Sequence, residues 1–428
     1  MNGEGAPAII GLEAFAGQLA WLLVGVSVVG LVAKWLRVPY AVALVLGGLV
    51  AAQTHATPVP TLGPDLLLFI FLPPLLFDAA FRLDTTEFRT VWRSVLLLAV
   101  PGVLLTTVLV GGTLALLLHL PLATALLFGS IVAATDPVAV TAVFKELRVS
   151  SRLSIIAEGE SLLNDGVAVT LFTVLALFTV QSSGAGGVGG EAGAAAHVDR
   201  SALGIALFFG REVIGGLAIG LGTGFAASRV TRLIDDHFLE MTLSTALAFG
   251  SYLLAHAAGA SGPMACVAAG ALHGSYGRSV GMSQRTRRLL DDLWEYLGFL
   301  ANGLLFLLVG FSVDLGILRD QVWPVGIAVG VVVIARVVVV EAATRVIRAE
   351  RIFTTGRARL VLVWGGLRGA LTMALALALP QEEPSRALVV AMALGVVLFT
   401  LVVQGLTLRP LIQRLGLSQS EETEPSAS

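Results

Sequence analysis

Apolar runs of membrane-spanning length recur along this chain from Phe15 to Pro410, and each needs about 20 residues to cross the hydrocarbon core as a helix. Composition agrees: 56% of the residues are hydrophobic and 13% charged, against about 25% charged in a soluble protein. The chain is expected to be an all-α integral membrane protein with no place for a soluble catalytic domain. Net charge is -2 and the Lys and Arg residues sit in short loops rather than on one face, which gives nucleic-acid binding no support. Cys266 is the sole cysteine, so neither an intrachain disulfide nor a cysteine metal cluster can form. From Met1 to Ala14 there is no Lys or Arg, while Glu4 and Glu13 are present. A secretory signal needs a basic start, so no cleaved leader is expected.

Reading the runs against Pro, Gly and charge gives about 13 spans, near 15–36, 38–53, 65–81, 91–118, 121–144, 152–180, 203–227, 239–257, 263–277, 292–314, 321–347, 358–380 and 386–410. A Gly- and Ala-rich segment, 181–202, reads as a flexible loop dividing two groups of six spans with one extra between them. Cytoplasmic loops collect Lys and Arg, and 21 of the 27 here fall in alternate loops, in clusters such as Lys145, Arg148 and Arg152. The intervening loops hold only Arg200, Arg211, Arg319 and Arg386, and Arg336 and Arg368 lie inside spans. This predicts an outside N-terminus, a cytoplasmic C-terminus, and a second six-helix group of opposite polarity to the first. Such inverted repeats are a signature of secondary transporters.

A charge at the bilayer centre costs about 2.5 to 3.5 kcal/mol unless it pairs or faces a cavity. The mid-span charges are Asp78, Asp136, Glu160, Asp165, Arg336 and Arg368; left unpaired, they would together cost on the order of 15 to 20 kcal/mol, more than a typical folding stability. They must be organised. In AEGESLLNDGVAV (157–169), Ser161 and Asp165 are four apart and share a helix face. Glu160 lies about 140° from Asp165. The inference is that Ser161 and Asp165 face an ion path while Glu160 pairs with a buried arginine; the alternative makes Asp165 an arginine partner too. In AATDPVAV (133–140), Pro137 lacks a backbone donor and biases Asp136 away from helix. The span should break there, freeing backbone groups beside Thr135 and Asp136 to coordinate a cation; a simple proline kink is the alternative. WGGLRGA (364–370) gathers glycines around Arg368 in the matching span of the second group. Two interrupted spans in matching positions point to a midplane ion site. Asp78, beside a double proline in FLPPLLFDAAF (71–81), either guards the ion's approach or pairs with an arginine.

LPPLLFDAAF, ATDPVAV, EGESLLNDGVAV, SGPMACVAAG (261–270), IAR (334–336) and GGLRGA, in this order, resemble the monovalent cation:proton antiporters of the sodium/proton exchanger type, including bacterial and archaeal members. The resemblance covers nearly the whole chain. It implies exchange of sodium or lithium for protons at the plasma membrane, one for one and electroneutral, in sodium and pH homeostasis. Asp165 would hold a proton or a cation alternately, with Asn164 beside it. Thr135, Asp136 and Ser161 would complete the sodium's oxygen shell or support it. Glu160 would pair with Arg336, and Arg368 would sit where the two broken helices cross, balancing Asp136. The family implies a lipid-embedded homodimer without a cofactor. In it, residues 1–90 and 203–320 form a scaffold for a core of 91–180 and 321–410, and 411–428 is a short cytoplasmic tail. Two departures stand out: many members carry a glutamate at the position of His256, and the long regulatory tail of animal exchangers is missing.

The rivals are a potassium/proton antiporter with the same site, a cation channel, and an intramembrane serine protease. A channel needs an open path, whereas buried charge pairs around one titratable acid suit alternating access. Gly259-Ala260-Ser261-Gly262 resembles the rhomboid motif, but a protease needs a histidine on a later span, and none follows His273. Small residues there suit close helix packing instead.

Overall fold

The computed structural model describes residues 6–36, 39–53, 67–180, 201–312, 315–347, 355–379 and 383–418. All regular structure among them is helical. The helices are α1 (Ala6–Leu36), α2 (Tyr40–Gln53), α3 (Leu72–Phe81, entered through a π turn at Leu67–Phe71), α4 (Thr85–Leu118), α5 (Leu122–Ile131), α6 (Val138–Glu146) and α7 (Ser151–Val180). There follow α8 (Ala202–Thr231), α9 (His237–Ala257), α10 (Gly262–Leu272, continued by a π turn to Val280), α11 (Gln284–Phe311), α12 (Leu315–Asp320) and α13 (Val322–Val346). The last are α14 (Gly356–Trp364), α15 (Ala370–Leu377), α16 (Arg386–Phe399) and, beyond a π turn, α17 (Gly405–Arg414). The flexible-loop segment up to Arg200, and the tail from Gln419, lie outside the described residues.

Among the described residues, seven helical stretches are long and apolar enough to cross a membrane. α5 and α6 are not among them: at 10 and 9 residues each rises about 14 Å, near half of a 30 Å hydrocarbon core. α1 begins at Ala6 rather than residue 15, and two more helices start earlier than hydropathy predicts, because hydropathy sees the hydrocarbon and not the cap. α4 begins at Thr85 rather than residue 91, with the Asp84 carboxylate accepting from the amides of Thr86 (2.9 Å) and Glu87 (3.2 Å). α11 begins at Gln284 rather than residue 292, capped by the Ser283 hydroxyl, so Arg285, Arg287 and Arg288 lie on helix and not in a loop. Both starts follow the rule that a short polar side chain satisfies orphan amides.

α7 packs on α4, α5 and α10, and α13 packs on α4 and α16. α8 packs along α10 and α2 along α11. The α8–α10 contact is a glycine seam: Gly216, Gly220 and Gly224, four residues apart, face Ser261, Ala265 and Ala269. A Cβ on Gly216 or Gly220 would overlap the opposing backbone carbonyl, and one on Gly224 would lie 3.0 Å from the Cα of Ala269. Helices in lipid gain little from apolar exclusion and associate through close packing that small residues permit. Gly220→Val should destabilise by about 1 to 3 kcal/mol through overpacking. Gly222→Val, where a Cβ meets nothing within 4 Å, should change little. Thermal unfolding of the two purified variants in one detergent separates the outcomes.

Candidate functional site

Pro137 cannot donate a backbone hydrogen bond, and the helix stops at Ile131 and restarts at Val138. The intervening strip is held from three sides. Asp136 turns its Oδ1 back to the amide of Val138 at 2.9 Å. Its own amide donates to the carbonyl of Leu367 at 2.8 Å, inside the second break, 365–369, between α14 and α15. Thr135 is gripped by α7: Asn164 Nδ2 donates to its Oγ1 at 2.7 Å, its amide donates to Asn164 Oδ1 at 3.3 Å, and the Ser161 hydroxyl donates to its carbonyl. In the second break, the amide of Arg368 donates to Thr400 Oγ1 at 3.0 Å. Gly369 is required there, because a Cβ would overlap the Asp136 carboxylate.

A cavity of about 220 Å³ leads to this junction. Arg82, Lys145, Glu158 and Asp78 line its outer part, and Thr135, Asp136, Asp165, Asn302 and Gly369 line it further in. Asp165 Oδ1 has no hydrogen-bond partner. Asp78 lines the cavity and forms an ion pair with Arg82 at 2.8 Å, the arginine partner the sequence allowed, to which Glu295 adds a contact at 3.2 Å. Ser161 is not on this wall. It is buried beside Glu160 and Arg336 around a smaller cavity that Thr135 and Asp136 also line, and its hydroxyl donates to the carbonyl of Thr135. Several polar lining residues were not singled out as site residues from the sequence, among them Glu158, Lys145 and Asn302. Glu158 had a visible signal, since Glu158, Leu162 and Asp165 are spaced to share one helix face.

Glu160 points away from this cavity and forms a bidentate pair with Arg336, through Nη1 and, at 3.0 Å, Nη2. Arg336 also donates to the carbonyl of Leu362 from Nε (3.3 Å) and Nη2 (3.0 Å), which ties α13 to α14. Arg368 lies within the second break. It is buried, at 1% exposure, yet forms no ion pair with Asp136, and its Nε and Nη1 have no hydrogen-bond partner. The charges acting on it are Arg336, Glu160 and Asp165. The Asp136 carboxylate accepts instead from the amide of Val138. Removing one partner of a buried pair costs about 3 to 5 kcal/mol, whereas replacing both with apolar groups is often neutral. Glu160→Gln should therefore lower the thermal midpoint sharply, and Glu160→Leu with Arg336→Met should recover most of the loss.

The family model described as "Sodium/hydrogen exchanger, transmembrane" matches residues 22–414. The Na(+)/H(+) antiporter NhaH of Halobacillus aidingensis is 36% identical over 418 residues, covering 95% of this chain and 99% of that protein. The Na(+)/H(+) antiporter NhaG of Bacillus atrophaeus is 37% identical over 404 residues, covering 91% and 73%. Among solved structures, the sodium proton antiporter MjNhaP1 from Methanocaldococcus jannaschii superposes with a TM-score of 0.78 at 21% identity, covering 95% of this chain and 99% of that one. The fold is therefore that of MjNhaP1, and the chain belongs to the transmembrane sodium/hydrogen exchanger family.

Proposed function

We propose that this protein exchanges sodium for protons across the cell membrane, and that both compete for the carboxylate of Asp165. The observation that carries the reading is an acid with an unpartnered oxygen, lining a cavity where two helix breaks are bonded together. Hard oxygen ligands suit a small hard cation, and Asp165, Thr135 and the freed backbone carbonyls supply them. Asn164 and Ser161 hold Thr135 in place, Asp136 fixes the junction, and Arg368 offsets negative charge through space. Asp78 and Arg82 flank the approach. Sodium and proton are cargo, and the cycle uses no cofactor.

The exchange is electroneutral, one for one, by alternating access: an occupied or protonated Asp165 is neutral enough to cross and the bare anion is not. The architecture is read as 13 spans in two inverted groups of six, with α5/α6 and α14/α15 as the paired broken spans. Residues 91–180 and 321–410 form the moving core, and 1–90 and 203–320 form a scaffold that makes a homodimer within the lipid. Arg82 and Lys145 at the mouth of the cavity mark its side as cytoplasmic by the positive-inside rule, which puts the N-terminus outside and the C-terminus inside.

Reconstitution in liposomes with an imposed pH gradient tests this. Sodium is expected to collapse the gradient in wild type and not in Asp165→Asn, with little change when the membrane potential is clamped. Collapse by potassium alone would keep the site and change the substrate, and normal exchange by Asp165→Asn would overturn the site.

A further inference from the structure

Two charged groups lining the cavity, Glu158 and Lys145, have no task in that reading. Glu158 lies seven residues before Asp165 on the same face of α7, so about 10.5 Å nearer the mouth. It is half-buried and, among the described residues, neither accepts a hydrogen bond nor enters an ion pair. The groups that face it are few. Asp78 and Arg82, at the end of α3, are paired with each other, and Glu295 of α11 adds to Arg82. Asp136 lies at the break, Lys145 ends α6 without an ion pair among the described residues, and Asn302 of α11 is uncharged. The bases acting on Glu158 are Lys145 and Arg82, and Arg82 is already neutralised by its two acids. An acid half removed from water and left without a partner is poorly placed as a structural element. It is well placed to meet a cation travelling to Asp165.

We propose that Glu158 is a positioning residue for transport: its charge gathers protons and sodium on the approach to Asp165 and strengthens the binding of both there. The inference rests on the antiport reading. Two unit charges about 10.5 Å apart, across an effective dielectric between about 20 and 80, change a binding constant about two- to fourteenfold. Sodium and proton carry the same charge, so one factor applies to each, and that yields a signature a merely structural residue lacks. In Glu158→Gln at alkaline pH, where protons do not compete, the apparent KM for sodium rises by the full factor. At acid pH both affinities have fallen together and the apparent KM is unchanged. The acid limb of the activity profile moves toward lower pH by about 0.3 to 1.1 units, the logarithm of that factor. Lys145→Met acts with the opposite sign, and Glu158→Asp, which keeps the charge, stays near wild type.

Everted membrane vesicles expose the cytoplasmic side, so sodium titrations at a series of pH values on wild type, Asp165→Asn, Glu158→Gln, Glu158→Asp and Lys145→Met provide the test. The expected result is a pH-dependent KM shift in Glu158→Gln at near-constant maximal rate, reduced when choline chloride screens the cavity, with the reverse shift in Lys145→Met. An unchanged Glu158→Gln, a KM change uniform with pH, or a Glu158→Asp that behaves like Glu158→Gln would overturn the inference. Wild-type vesicles that exchange no sodium for protons would instead sink the antiport reading itself.

Discussion

The hydrogen bond from the amide of Asp136 to the carbonyl of Leu367 joins two chain segments that have each given up their own helical ladder. Backbone groups without partners are costly in hydrocarbon, and irregular backbone survives there only when buried in protein or lining a cavity. The surrounding side chains are chosen accordingly. Asn164 and Ser161 satisfy Thr135 from α7, Thr400 satisfies the amide of Arg368, and Asp136 caps the restart of its own helix. The absence of a side chain at Gly369 lets the segments approach. Once these bonds are made, the junction is rigid, polar and set against a cavity, which is what a transient cation site needs.

The charges then divide the labour. α7 presents Glu160 to one neighbour and Asp165 to another, and only the first receives a guanidinium. Pairing Glu160 with Arg336, and Arg336 with the carbonyl of Leu362, locks α13 and α14 to α7. Leaving Asp165 without such a partner keeps it available. Arg368 is buried in the second break, and its Nε and Nη1 have no hydrogen-bond partner among the described residues.

Much of this was legible in the chain itself. The proline after Asp136, the glycines around Arg368 and the five-residue offset of Glu160 from Asp165 each forced a local geometry, and each appears. What periodicity could not give were relations between distant segments. Ser161 shares a face with Asp165 in projection, yet its hydroxyl turns to a backbone carbonyl created only by the break. The target of Arg368 depended on whether Asp136 was free, and Asp136 is occupied by Val138, a local turn hydropathy does not register. Glu158 was overlooked because it sits toward the polar end of a span, where an acid is cheap and draws no attention. The early starts of α4 and α11 were hidden for a related reason, since capped turns outside the hydrocarbon carry no apolar signal.

The cavity that reaches Asp165 runs along α7 on the side of Glu158. One residue further along the helix, Gly166 is pressed by the thioether of Met264, whose sulfur would lie 2.7 Å from a Cβ there. Beyond this contact a small cavity of about 30 Å³ is lined by Thr170, Thr173, Glu212 and His256, with the hydroxyls of Thr170 and Ser261 2.6 Å apart. Under the proposed exchange, access from the second side requires α7 to shift against α10 at this point. α10 is bound to α8 through the glycine seam, where the backbones approach closely. The α7 contact includes a flexible methionine over a glycine and a hydroxyl pair, and either can be remade after a displacement. Under the proposed exchange, the displacement therefore falls at the methionine contact beside Asp165 and not at the glycine seam.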